Sequence, residues 1–236
     1  MICIACNYEH KDKFCLNCGE KNGIKKLTFL SILQDGFLTI TNMDKGFLFN
    51  LKALVLAPKK LTDDYISGKR KGIQNPISFL IVCVTIYLIV TDQFMVVPKG
   101  FDNYTKSDPF TLGVRIGEFI GTYLKYFWIL MIIPLALSIK LTFKKFNFIE
   151  NLAISAFVVG GATLVALFSN IIVSFFVFSL PLFFDPFVYL IIFWLLYAIF
   201  KQENNRVESF LLTLTGMILF VIQIVIIVVV LGVLLA

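Results

Sequence analysis

The chain has 236 residues, 58% hydrophobic and 15% charged, with a mean hydropathy of +0.88. Average proteins are about 45–50% apolar and about 25% charged, so the composition excludes an ordinary soluble domain, a disordered tail and a collagenous chain. The formal net charge of +6 is unevenly spread: residues 1–76 hold 19 of the 36 charged side chains, 12 basic and 7 acidic.

Four cysteines come first. Cys3-x2-Cys6 and Cys15-x2-Cys18-Gly19 are two C-x2-C pairs separated by eight residues. Such pairs place four thiolates for tetrahedral coordination of one Zn²⁺. Gly19 suits the knuckle, because a residue without Cβ tolerates the tight turn. The loop between the pairs is shorter than the common ~15–20 residues. Residues 1–23 therefore read as a miniature zinc ribbon, too small for a core and dependent on metal to fold. Two disulfides or a redox pair are the alternatives. Disulfides need an oxidising compartment, against which the topology below argues. The first apolar run long enough for a secretory signal begins only near Pro76, so no leader is expected. Zinc held by four thiolates contributes −2 and lowers the formal +6 to +4. His10 is expected as an exposed loop residue, and Cys83 as a small buried hydrophobe in an apolar helix.

Residues 24–74 form an amphipathic, basic juxtamembrane segment. Phe29, Leu30, Leu33, Phe37 and Ile40 recur at helical spacing, and after a turn over 42–46 so do Phe47, Leu48, Leu51, Leu54 and Val55. These helices either lie along a bilayer or pack on the body or a partner. Lys59, Lys60, Lys69, Arg70 and Lys71 follow, a cluster that beside a membrane span marks the cytosolic side and touches anionic headgroups. Nucleic acid is the weaker partner, since that reading also needs a folded groove bearing aromatic side chains.

Residues 75–236 read as an all-α membrane domain. Asn75-Pro76 is an N-cap followed by proline at the first helical position. Spans are expected at about 77–97, 123–143, 152–180, 183–200 and 209–235, five in all. The third is longer than a bilayer needs and the fourth short for one. The bias of basic residues puts the N-terminus in the cytosol and the C-terminus outside. Asp92, Glu118 and Asp185 belong to the outer interface, and Glu150 is a helix-start acid. In the third span Gly160, Gly161 and their small neighbours favour close helix packing over a pore lining. Asn170 and Gln223 are the most nearly central polar groups and should face protein or water. Asn103-Tyr104-Thr105 matches a glycosylation acceptor. No intramembrane carboxylate pair, H-E-x-x-H, G-x-S-x-G or phosphate loop is present, so no enzyme is expected.

Three features, the cysteine pairs ending Cys15-x2-Cys18-Gly19, the run Pro58…Tyr65-x2-Gly68-Lys69-Arg70…Pro76, and Asn147-Phe148-Ile149-Glu150-Asn151, carry a resemblance. With them the chain resembles an uncharacterised family of bacterial polytopic membrane proteins with an N-terminal four-cysteine zinc ribbon. The resemblance implies a cytoplasmic membrane and a cytosolic ribbon; it implies no activity. The function expected is docking: ribbon and collar hold a protein partner or a second copy, and the helices anchor the complex. The alternative is a transporter, channel or lipid-moving protein, gated by the ribbon as a stress or defence sensor.

Overall fold

The computed structural model describes residues 2–3, 6–9, 11, 14–19, 46–94, 127–174, 182–202 and 205–235. The amphipathic helix expected over 29–40, His10 and the 103–105 acceptor lie outside them, as do residues 95–97, 123–126 and 175–180 of the expected spans. The described residues are mainly helical; the four-cysteine segment carries an isolated antiparallel bridge, Ile2 to Glu9.

Local signals set the helix ends. The α1 helix spans Gly46–Leu56 and α2 spans Pro58–Ser67, with Pro58 at its first position. Helix α2 stops at Gly68, whose φ of 98° lies in the left-handed region open to glycine. There Gly68 N–H donates to Tyr65 O and Lys69 N–H to Asp64 O, satisfying two terminal carbonyls. Helix α3 spans Pro76–Phe94, and Asn75 Oδ1 accepts from Ile77 N–H at 2.9 Å as its cap. A 3-10 turn, Trp128–Met131, leads into α4, Ile132–Thr142. Pro134 sits in the first turn of α4, where its missing N–H is tolerated.

Helix α5, Phe148–Ser174, opens with a capping box: Asn147 N–H donates to Glu150 Oε2 and Glu150 N–H to Asn147 Oδ1. Glu150 is the helix-start acid expected. A short 3-10 turn, Leu182–Phe184, precedes α6, Pro186–Phe200, and the last helix, α7, spans Arg206–Leu235.

Helix α5 is the axis of the bundle. It packs against α1, α3, α4 and α6, while α7 packs on α4 and α6. Small residues permit the closest approaches. A Cβ on Gly160 would meet Phe79 ring carbons at 3.0 Å and Leu80 Cα at 3.2 Å, so α3 and α5 nearly touch backbone to ring. On α7, Gly216 faces Thr142 and Gln223 Nε2 donates to Ser138 Oγ at 3.1 Å. Those two contacts run in opposite directions along the helices, so α4 and α7 are antiparallel.

Two helices, over Phe148–Ile172 and Arg206–Val230, are long and apolar enough to cross a membrane. They differ in surroundings. The α5 stretch is mostly covered by protein, whereas Leu211, Leu214, Ile218, Val221, Ile222 and Val225 of α7 are exposed. Helix α6 has 15 residues, about 22 Å at 1.5 Å each.

Candidate metal centre and the polar sites of the bundle

The ribbon brings its four cysteines together. All four Sγ atoms lie within 4.8 Å of one another, with Cys3–Cys18 and Cys6–Cys15 each at 3.5 Å. A tetrahedron with metal–sulfur bonds of about 2.3 Å has sulfur–sulfur edges of about 3.8 Å, so the donor set fits one thiolate-bound ion. The four are free thiols. Each pair is wrapped by backbone. Asn7 N–H donates to Cys3 O at 2.9 Å, and Gly19 N–H donates to Cys15 O at 2.7 Å.

Both knuckles end on a left-handed residue, Asn7 at φ 59° and Gly19 at φ 72°. Asn7 stands to the first pair as Gly19 stands to the second, a role the sequence reading left unassigned. Its signal was available, because asparagine is among the residues that tolerate this conformation best.

Burial opposes ionisation of Cys15. The backbone amides of Cys18 and Asn17, with the thiols of Cys6 and Cys18, outweigh it and lower its pKa to about 6. A thiol so tuned is a metal ligand with few protons to displace near neutral pH.

The basic cluster is tied into the fold. Lys59 Nζ donates to Lys201 O at 3.1 Å, Lys69 Nζ lies 3.6 Å from Asp64 Oδ1, and the Arg70 guanidinium stands 5.2 Å from the Tyr65 ring. Lys71 Nζ lies 3.5 Å from the point a Gly19 Cβ would occupy, which brings the ribbon over the turn after α2. Lys60 is exposed.

Inside the bundle, Gly160 meets α3 as described, and Gly161 faces Leu54 and Leu195 at ordinary distances. Asn170 is buried, and its Nδ2 lies 3.4 Å from Asp185 Oδ2, to which Ser169 Oγ donates at 3.1 Å. The other Asp185 oxygen accepts from Phe187 N–H at 2.9 Å and caps α6. Asp185, expected in a proline-bounded turn at an interface, does sit in that turn and is only 2% exposed. Its partners on α5 could not be read from the sequence, because nothing local joins residues 15 and 16 positions apart. Trp128 Nε1–H donates to Thr163 Oγ1 at 2.8 Å, another buried link unassigned by the sequence reading.

Residues 44–88 match the model of a family described as a protein of unknown function, DUF3667. The matched stretch holds α1, α2, the basic turn and the first two-thirds of α3. Neither the curated proteins nor the solved structures contain a match to the chain.

Proposed function

We propose that the chain is a non-enzymatic, polytopic protein of a bacterial cytoplasmic membrane, whose cytosolic zinc ribbon and helical collar dock a protein partner. The observation that carries the reading is the ribbon's surface. Ile2, Tyr8, Phe14 and Leu16 are all exposed on a module held together by four thiols. A module this small has no interior for them, and exposed apolar side chains on a metal-built module suit a recognition surface. Zinc is the ion that four thiolates at these separations favour in a structural site.

The membrane reading is supported by the exposed apolar face of α7 and by the composition. Orientation follows from charge. Lys59, Lys144, Lys145 and Lys201 share one end of the bundle, and basic residues favour the cytosolic side. Five crossings then leave the C-terminus outside.

A photocrosslinker replacing Leu16 in the full chain, used in native membranes, tests the docking. One discrete protein adduct is expected, and it disappears when Cys3→Ser/Cys6→Ser is added while insertion persists. Adducts only to lipid, or an adduct that survives loss of the metal site, would overturn the reading.

One observation favours transport as a second reading. Asp185 is buried in an apolar body against Ser169 and Asn170, and ionisable residues in such places commonly serve ion or substrate pathways. Flux into proteoliposomes that Asp185→Asn and Asn170→Leu both abolish would support it; no flux from the unaltered protein would count against it.

A further inference from the structure

Four lysines meet at a cavity of about 330 Å³ between the α4–α5 turn, the end of α6 and the first turns of α7. Lys59, Lys144, Lys145 and Lys201 form its basic wall. They come from three separate places in the chain, Lys59, the adjacent Lys144 and Lys145, and Lys201, so no local repeat explains their gathering. The floor is apolar: the Phe143 and Phe200 rings stack with centroids 4.2 Å apart, and Ile199 and Leu212 complete it.

The charges are poorly balanced from within. Among the described residues one carboxylate answers them, Asp63, whose Oδ1 lies 3.4 Å from Lys145 Nζ at an exposed position. Lys59 spends one N–H on the Lys201 carbonyl, and Lys145 Nζ lies 4.5 Å from the Phe146 ring. Lys144 is exposed and has no hydrogen bond or ion pair among the described residues. Like charges gathered around one cavity repel, and an anion among them relieves that repulsion. A lysine ammonium offers three rotatable donors, which suits a phosphate group as a point-charge partner.

We propose that this cavity binds a phosphate group, its oxygens held by Lys59, Lys144, Lys145 and Lys201, with the apolar part of the ligand on the Phe143–Phe200 stack. Two sources carry that chemistry, an anionic phospholipid headgroup and a free phosphate compound. Basic pockets between helices at a cytoplasmic membrane surface bind headgroups. The lipid source rests on the membrane reading above, whereas the phosphate site itself does not.

The test compares the full-length protein with Lys144→Gln/Lys201→Gln, two substitutions at solvent-accessible side chains. Lys52→Gln, at an exposed position on α1 that does not line the cavity, serves as the control. All three proteins are placed in phosphatidylcholine nanodiscs, titrated with phosphatidylglycerol, and read by native mass spectrometry. In parallel, thermal unfolding in detergent is followed with millimolar inorganic phosphate. Loss of two charge-assisted contacts is expected to weaken phosphatidylglycerol retention, or phosphate protection, about tenfold or more in the double variant. The control should match the unaltered protein. Lipid retention without phosphate protection identifies a headgroup site, and phosphate protection without lipid preference identifies a free phosphate compound. Equal binding by the double variant and the unaltered protein, or no response to either ligand, overturns the proposal. Failure to enter nanodiscs speaks against the membrane reading, while the detergent titration still decides the phosphate site.

Discussion

Asn50 shows how one buried amide can fix the join between two elements. Its side chain is fully buried on α1, where Nδ2 donates to Gln74 O at 3.0 Å and Oδ1 accepts from Gln74 N–H at 3.2 Å. Gln74 thus has both backbone groups satisfied two residues before α3 begins. Asn50→Ala leaves them orphaned in a buried site, at a cost of about 1–3 kcal/mol. A clear fall in thermal midpoint in detergent is expected, and an unchanged midpoint would count against the clamp. Cys15 makes a prediction of opposite character. Its folded pKa of about 6 lies below the ordinary thiol value, so thiolate stabilisation is complete above that ordinary value and disappears as pH falls through about 6. In the metal-free protein the Cys15 thiolate should therefore persist at neutral pH and protonate as pH falls through about 6, as read by thiolate absorbance; a thiol still protonated at neutral pH would contradict the tuning. The cysteine spacing was legible because ligand geometry is local. The Asn50–Gln74 clamp was not, because an amide inside an amphipathic pattern carries no mark of the backbone it will meet 24 residues later.

Elements differ in how much room their glycines leave. Replacing a helical glycine by alanine gains about 0.8–1.0 kcal/mol of propensity. At Gly161 the new methyl would meet Leu54 at 3.4 Å, an ordinary contact, so Gly161→Ala should be neutral or mildly stabilising. At Gly160 it would press on the Phe79 ring at 3.0 Å and the α3 backbone at 3.2 Å, and overpacking costs about 1–3 kcal/mol. Gly160→Ala should therefore lower the thermal midpoint while Gly161→Ala does not. Equal shifts would show that α3 yields freely. Helix starts at Pro58, Pro76 and Phe148 could be read from prolines, caps and the Asn147–Glu150 pair, all short-range signals. The covered state of α5 could not. A uniformly apolar helix reads the same against lipid as against protein, and only its small residues hint at the difference.

The whole molecule presents an apolar exterior that its two tryptophans can report. Trp128 is 0% exposed and packs edge-on to Phe183 at 4.8 Å, whereas Trp194 on α6 is 45% exposed. If the outer surface is solvated by acyl chains, brominated lipids should quench Trp194 emission strongly and Trp128 weakly. Trp194→Phe should remove most of the quenching; quenching that persists in that variant would mean lipid does not reach the α6 face. The overall charge asymmetry was readable in the first 76 residues, yet the lysine-walled cavity was not. Its parts lie far apart along the chain and meet only once α2, α4, α6 and α7 share one end of the bundle.

The bond from Lys59 to the Lys201 carbonyl also sets an order of events. It joins residues 142 positions apart, and α2 packs on α6. During synthesis α2 leaves the ribosome long before α6 exists. At about 5–20 residues per second, the intervening chain takes roughly 7–28 s to make. Through that interval α2 has no α6 to dock on, and the part of its surface that packs there awaits its covering. The collar is translated long before the helix it docks on, so a chain truncated before α6 should emerge with its collar undocked.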